Sequence, residues 1–162
     1  AKGSRFWQGR LFKIQFTREF IMKVRINALA EQVFKAPVHI AYPTEKFDEK
    51  GNTVYGQASF IGRFKTISQD AGLKNLEDIE LAQKEGTAAV VSEMIKQVEQ
   101  IFIGFEPMPG KEFPLLDDNG EPVAVSPEAI KTMLRISEVR DAVNKAYAHA
   151  RNPSIIEENL KK

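Results

Sequence analysis

The sequence contains no cysteine, and among its 162 residues there are only two histidines and one tryptophan. The lack of cysteine excludes disulfides, thiolate zinc sites, iron–sulfur clusters and a cysteine nucleophile. No apolar run approaches the roughly 18 residues of a membrane-spanning helix, and no charged segment followed by an apolar one indicates a signal peptide. We therefore expect a chain that folds without disulfides and has no membrane partner.

Catalytic and ligand-binding motifs are also missing. His39 and His149 lie far apart in the sequence, and no G-x-S-x-G nucleophile motif is present. The segment Gly104–Lys111 has five residues between its glycines, not the four of a phosphate-binding loop, and Glu112 replaces the magnesium-binding Ser or Thr. The acidic turn Asp117–Glu121 lacks the ligand spacing of a calcium loop. We expect a protein that is not an enzyme, with no cofactor and no metal.

Positive charge is concentrated in residues 1–21, which hold five basic residues and one acidic residue. Three interpretations of this segment stay open: a leader introduced during cloning, suggested by Gly3-Ser4 and Glu19-Phe20; a native strand or arm; and an element that binds nucleic acid or a membrane surface. The remaining residues are mildly acidic in sum. Nucleic acid is therefore an unlikely partner of the body, because such binding depends on neutralising phosphates.

The N-terminal half of the body has the pattern of β-strands. Residues 23–29 alternate and could form a strand or the start of a short helix. Val38, Ile40 and Tyr42 alternate with polar or small residues up to Pro43, and Pro37 predicts either an edge strand or the start of a strand. A loop over residues 45–52 ends in a hairpin turn at Lys50-Gly51-Asn52. Residues 54–66 form the clearest strand, with Gly56 and Gly62 on its apolar face, where a bulge or close packing is expected.

Helical periodicity follows. A long helix is predicted to begin near Asn75 as N-cap, with Gly86 weakening it and an apolar stripe from Val90 to Phe102. Residues 113–125 predict two short arms around the turn at Asp118-Asn119-Gly120. Two short helices begin at Ser126 and Ser137 and end before Pro153. We thus expect an α+β fold in which a small antiparallel sheet packs with a long helix and a C-terminal helix pair: residues 22–152 form one domain and residues 153–162 a frayed polar tail.

Several segments of the sequence together resemble the tail assembly chaperones of long-tailed bacteriophages. Residues 34–43 resemble the family pattern Phe-x-x-Pro-Val-x-Ile-x-x-Pro, and residues 60–68 resemble Phe-x-x-x-Phe-Lys-x-Ile-Ser. The family's Gly-aromatic-Glu step, Gly-x-Pro turn and paired short helices correspond to residues 104–106, 120–122 and 126–150. The similarity covers residues 22–150. One departure is Phe105, where the family often has Trp.

The resemblance implies a function and partners. Such chaperones bind the tape measure protein, keep it soluble and recruit major tail tube protein subunits, without ATP, in the host bacterial cytoplasm, and self-association is expected. An apolar groove could mask the partner's stripes. The candidate groove residues are Phe102, Phe105, Met108, Met133 and Tyr147. In this family a frameshift often yields a longer product, and the codons of Leu160-Lys161-Lys162 permit a slippery sequence.

Two alternatives remain from the sequence. The first is a structural tail or head–tail joining protein that stays in the virion. The second is a nucleic-acid-binding module that uses Phe6, Trp7, Phe12 and the neighbouring arginines.

Overall fold

The computed structural model describes residues 23–162, which contain six helices and three strands. Internal packing divides the chain into residues 1–30 and Glu31–Lys162. The first unit contributes the short helix α1, so residues 23–29 start a helix and not a strand. In chain order the elements are α1 (Ile26–Ala30), β1 (Val33–Phe47), β2 (Thr53–Lys65), α2 (Gln69–Glu85), α3 (Thr87–Ile101), β3 (Phe102–Glu106), α4 (Pro127–Leu134), α5 (Ser137–Ala150) and α6 (Pro153–Leu160).

The strands form an antiparallel sheet in the order β1-β2-β3, and this confirms the predicted α+β fold class. β2 matches the predicted strand. Of the two alternatives for Pro37 the edge strand is correct, because β1 lies at an edge and already begins at Val33. The prediction that Pro43 ends this strand is wrong: β1 continues to Phe47. Pro43 is tolerated because an edge strand can leave one position without a donor.

A tight turn joins β1 to β2 at the predicted position. The Asp48 carboxylate accepts hydrogen bonds from the backbone N–H of Lys50 at 2.9 Å and of Asn52 at 2.8 Å. Gly51 has a φ of 82°, which a side chain would disfavour. The carboxylate therefore satisfies backbone groups that the turn leaves outside the strand ladder.

The predicted long helix is two helices. α2 begins at Gln69, with the Ser68 hydroxyl accepting from Ala71 N–H at 3.2 Å, so the prediction of Asn75 as N-cap is wrong. Ser68 lies seven residues, or about two helical turns, before Asn75, and it caps the helix there by satisfying one of the first free N–H groups. Gly86, with a φ of 114°, separates α2 from α3. The helices run antiparallel, because Asn75 Nδ2 donates to Gln100 Oε1 at 2.9 Å across the pair.

The two arms predicted within residues 113–125 do not become strands. The turn is present: Asp117 accepts from Asn119 N–H at 2.9 Å and from Glu121 N–H at 3.0 Å, and Gly120 has a φ of 77°. A single bridge joins Leu116 to Pro122. Pro122 has no N–H to donate, and this limits how far a ladder can extend.

The C-terminal helices begin at the predicted residues. The Ser126 hydroxyl accepts from Ala129 N–H at 3.0 Å, and Pro127 occupies the first helical position of α4. α5 ends at Ala150. The segment 153–162, expected to fray, contains α6, because Asn152 caps it by accepting from Ser154 N–H at 2.9 Å.

The core lies between one face of the sheet and the helices α3, α4 and α5. Aromatic rings dominate it: the Phe60 and Phe113 centroids lie 5.2 Å apart, and those of Phe64 and Phe102 lie 5.7 Å apart. Six side chains are almost completely buried, namely Val38, Phe60, Phe64, Phe102, Leu134 and Val143. We name the rings of Phe60, Phe64, Phe102, Phe105 and Phe113 the phenylalanine cluster.

Two strand glycines differ in the space around them. A Cβ at Gly62 would lie 2.7 Å from the Phe64 ring and 2.9 Å from Val38 Cγ2, whereas one at Gly104 would have its nearest neighbour at 3.7 Å. The expectation of close packing at Gly62 is therefore confirmed. A ring likewise lies against Gly56, where the added atom would overlap Tyr42.

We predict that Gly62→Ala lowers the free energy of unfolding by about 1–3 kcal/mol, because an added methyl overfills the core. Gly104→Ala is the matched control in a neighbouring strand. It should be neutral or stabilising by up to about 1 kcal/mol, through the entropy of the unfolded chain. Urea denaturation measures both. Equal effects of the two substitutions would contradict the packing described here.

Candidate partner-binding site

Three of the five residues predicted to form a partner groove are core residues. Phe102 is fully buried, and Phe105 and Met133 expose 6% and 5% of their surface. The Phe102 and Phe105 rings stack with their centroids 6.3 Å apart. These three side chains therefore belong to the hydrophobic core, and they do not line an open groove.

The other two predicted residues are half-buried. The Tyr147 ring packs on Phe34 and Phe64, while its hydroxyl accepts a hydrogen bond from Arg151 Nη1 at 2.9 Å. Met108 lies in the turn that follows β3. The five residues thus do not form one surface, and only Met108 and Tyr147 offer part of a side chain to a partner.

A different apolar surface lies on the helical hairpin of α2 and α3. Val98 and Ile101 of α3 are buried, but Val91 and Met94 expose 38% and 39% of their surface. Seven residues are about two helical turns, so Val91 shares a face with Val98, and Met94 shares it with Ile101. The apolar stripe of α3 therefore extends beyond the core that covers its C-terminal half.

α2 adds exposed leucines to this hairpin. It packs chiefly against α3, and its only fully buried residue is Ala82. Leu73, Leu76 and Leu81 each expose more than half of their surface. We name the exposed side chains of Leu73, Leu76, Leu81, Val91 and Met94 the hairpin patch. Several exposed apolar side chains on one helical hairpin are typical of a protein that binds a partner there.

A second exposed apolar region lies at the far end of the β1–β2 ribbon. Burial along β1 stops at Ile40, and along β2 it begins at Ala58. Beyond these residues the ribbon carries four exposed large side chains, those of Tyr42, Phe47, Val54 and Tyr55. We name them the ribbon tip.

In the part of the chain that the structure describes, no polar side chains are arranged as a catalytic triad or a similar active site. His39 Nδ1 lies 2.8 Å from Ser59 Oγ on the exposed face of the sheet, without a carboxylate beside it. Among residues 23–162 no group of three or more His, Asp or Glu side chains could hold a metal ion. Within the same range, no helix has both the length and the apolar character to cross a membrane. The basic segment 1–21, with Trp7, lies outside the described residues.

Comparisons with family models, curated proteins and solved structures found no match to this chain. The similarity to tail assembly chaperones therefore rests on the residue patterns within 22–150. The hairpin patch and the ribbon tip come from the structure alone and are independent of that similarity.

The Asp48 turn joins the two strands of the ribbon tip. Because the turn is held by the Asp48 carboxylate, we expect acid to loosen the ribbon tip. Hydrogen bonds from the backbone, first from Asn52 N–H, lower the pKa of Asp48 below its usual range. A carboxylate with a depressed pKa contributes stability above its unfolded pKa of about 3.9 and loses it as the pH falls through the folded pKa. We predict that the Asn52 amide resonance titrates with a midpoint below the ordinary Asp value.

Asp48→Asn is the control for that titration, since it keeps an oxygen acceptor and removes the ionisation. The Asn52 amide of the variant should show no such midpoint. A wild-type midpoint at or above the ordinary Asp value would contradict the turn geometry. Carbon-13 detection of the Asp48 carboxyl group separates its titration from those of the other acids.

Proposed function

We propose that this protein is a tail assembly chaperone of a long-tailed bacteriophage. It binds the tape measure protein, keeps it soluble in the host bacterial cytoplasm and recruits tail tube subunits without using ATP. One observation supports the proposal most directly: the helical hairpin of α2 and α3 carries five large apolar side chains that stay exposed.

The geometry of the patch suits a helical partner. Val91 and Met94 continue a stripe whose other half already packs against the body. A partner helix with apolar residues at i, i+3, i+4 and i+7 can extend that packing along α3. A tape measure protein with long apolar stripes would present such a helix and would aggregate if its stripes stayed exposed.

The polar rim of the hairpin supports reversible binding. A cleft of about 410 Å³ between α2 and α3 is bordered by Lys74, Asp78, Glu85, Glu93 and Lys96. Charges of both signs around an apolar patch keep the free protein soluble and are common at the edge of interfaces. A chaperone that must later release its partner requires this combination.

The ribbon tip is the surface that we assign to self-association. Aromatic and β-branched side chains on a two-stranded ribbon pair readily with another copy of the same ribbon. Many copies could then line one long tape measure protein. This assignment leaves the hairpin patch free for the partner.

Val91→Lys and Met94→Lys test the proposal. Each places a charge on the patch without entering the core, so the fold should persist. Burial of the remaining exposed area of one such side chain contributes about 1 kcal/mol, and a desolvated lysine adds a cost. We therefore expect binding of the tape measure protein to weaken by about tenfold or more. The measurement is co-expression with the tape measure protein, followed by co-purification and titration.

Ala148→Lys is the matched control, because Ala148 is exposed on a different helix, α5, and belongs to neither the hairpin patch nor its cleft. It should leave binding within about twofold of wild type. Equal loss in all three variants would contradict a role of the hairpin patch. If the tape measure protein stays insoluble with the wild-type protein and nothing co-purifies, the chaperone function itself is contradicted.

A further inference from the structure

The outer edge of β1 carries backbone groups that face away from the sheet. Thr66 N–H donates to the Gln32 carbonyl at 2.8 Å, and Gln32 N–H donates to Thr66 Oγ1 at 2.8 Å, so the backbone groups of Gln32 point toward β2. The register continues without interruption from Val33↔Lys65 to Pro43↔Tyr55. Because bonded and non-bonded pairs alternate in an antiparallel ladder, the odd-numbered residues of β1 direct their N–H and C=O groups outward.

The positions of the prolines agree with this assignment. Pro37 and Pro43 both fall at odd positions, where the missing N–H breaks no bond to β2. Lys35, His39 and Ala41 keep outward donors, and no described residue receives a backbone hydrogen bond from them. An open strand edge of this kind is a template for an added strand.

A groove of about 730 Å³ runs along this edge. Lys35, Pro37 and His39 line it on the strand side, and α5 and α6 line it on the other side. The side chains of Lys35 and His39 are engaged elsewhere, with Glu106 and Ser59, each at 2.8 Å. These residues therefore present mainly backbone to the groove. From Lys35 to His39 the strand covers about 13 Å at ~3.3 Å per residue.

The side of the groove formed by α5 and α6 has mostly small side chains and one lysine. Ala146 and Ala150 give it small side chains, and Ile155 of α6 closes the far side. Lys145 also lines this wall, forms no ion pair with any described residue, and has no Asp or Glu beside it in the lining. The groove thus combines a strand template with an unneutralised cation.

We propose that this groove binds an extended peptide segment of a partner protein as an added strand on β1, with a carboxylate of the peptide opposite Lys145. Backbone bonds to Lys35 and His39 supply the affinity, and the charge supplies the preference for acidic sequences. This site does not use the hairpin patch, so it is independent of the tape measure interaction and could hold a second partner at the same time.

A designed peptide tests the site. The probe is the acetylated and amidated peptide Glu-Val-Thr-Val-Glu-Thr-Val-Glu with a fluorescent label, titrated by anisotropy against the full-length protein. We expect saturable binding and hydrogen-exchange protection at the amides of Lys35 and His39. The same peptide with every Glu replaced by Lys should bind about tenfold more weakly.

Two pairs of variants separate the contribution of the Lys145 charge to peptide binding from that of the β1 backbone. Lys145→Glu should weaken the acidic peptide by about tenfold and favour the lysine peptide, whereas Lys84→Glu, an exposed lysine on α2, should change neither. His39→Pro removes one outward backbone N–H of β1. It should weaken peptide binding several-fold, because one hydrogen bond is lost. His39→Ala removes only the imidazole and should bind as wild type does.

Three results would overturn the proposal: no saturable binding up to about 1 mM, equal binding of the acidic and lysine peptides, or protection confined to residues outside β1. If His39→Pro fails to fold, a peptide N-methylated at alternate residues replaces it. Such a peptide must lose affinity if a strand is added and keep it if binding is through side chains alone. None of these results depends on the tape measure protein.

Discussion

The packing of the phenylalanine cluster against one face of the sheet is the interaction on which the rest of the structure depends. β1, β2 and β3 form a sheet of only three strands, and such a sheet gains stability when one face is covered. Phe60 and Phe64 from β2 meet Phe102 and Phe105 from β3 on that face. The helices α3, α4 and α5 complete the cover. Beyond the region that the helices cover, apolar side chains are exposed to solvent. The hairpin patch and the ribbon tip both lie in such uncovered regions.

This dependence explains why three of the five residues predicted to bind a partner lie in the core. Phe102 and Met94 belong to the same apolar stripe, and periodicity shows only that they share a face. Which end of the stripe is covered depends on how far the neighbouring helices and strands extend. This is set by tertiary packing and cannot be read from periodicity. The exposed end lies toward the N-terminus of α3, so Val91 and Met94 are exposed, whereas Phe102 and Phe105 are buried. Tyr147 and Met108 stay partly accessible.

The α+β class, the strand at residues 54–66, the hairpin turn and the starts of α4 and α5 could all be predicted, because each has a local signal such as alternation, Gly51 or a Ser cap. The structure differs from the sequence prediction where two local signals compete. Ser68 and Asn75 are both good caps, and the helix is capped at Ser68, which makes it about two turns longer. Gly86 could bend a helix or end it, and its positive φ ends it. Pro37 indicates the edge position of β1, and Asn152-Pro153 is a local start signal for α6, but the groove between them depends on how the elements pack, which no local pattern indicates.

The central claim is that Phe102 supports the fold and Tyr147 does so only in part. Equilibrium unfolding of Phe102→Ala and Tyr147→Ala in urea tests it most directly, with circular dichroism as the readout. The account predicts a loss of about 3–5 kcal/mol for Phe102→Ala, as for other fully buried phenylalanines, and a clearly smaller loss for Tyr147→Ala. A Phe102→Ala variant that unfolds within about 0.5 kcal/mol of wild type would contradict the account and would return Phe102 to the surface as a partner-binding residue.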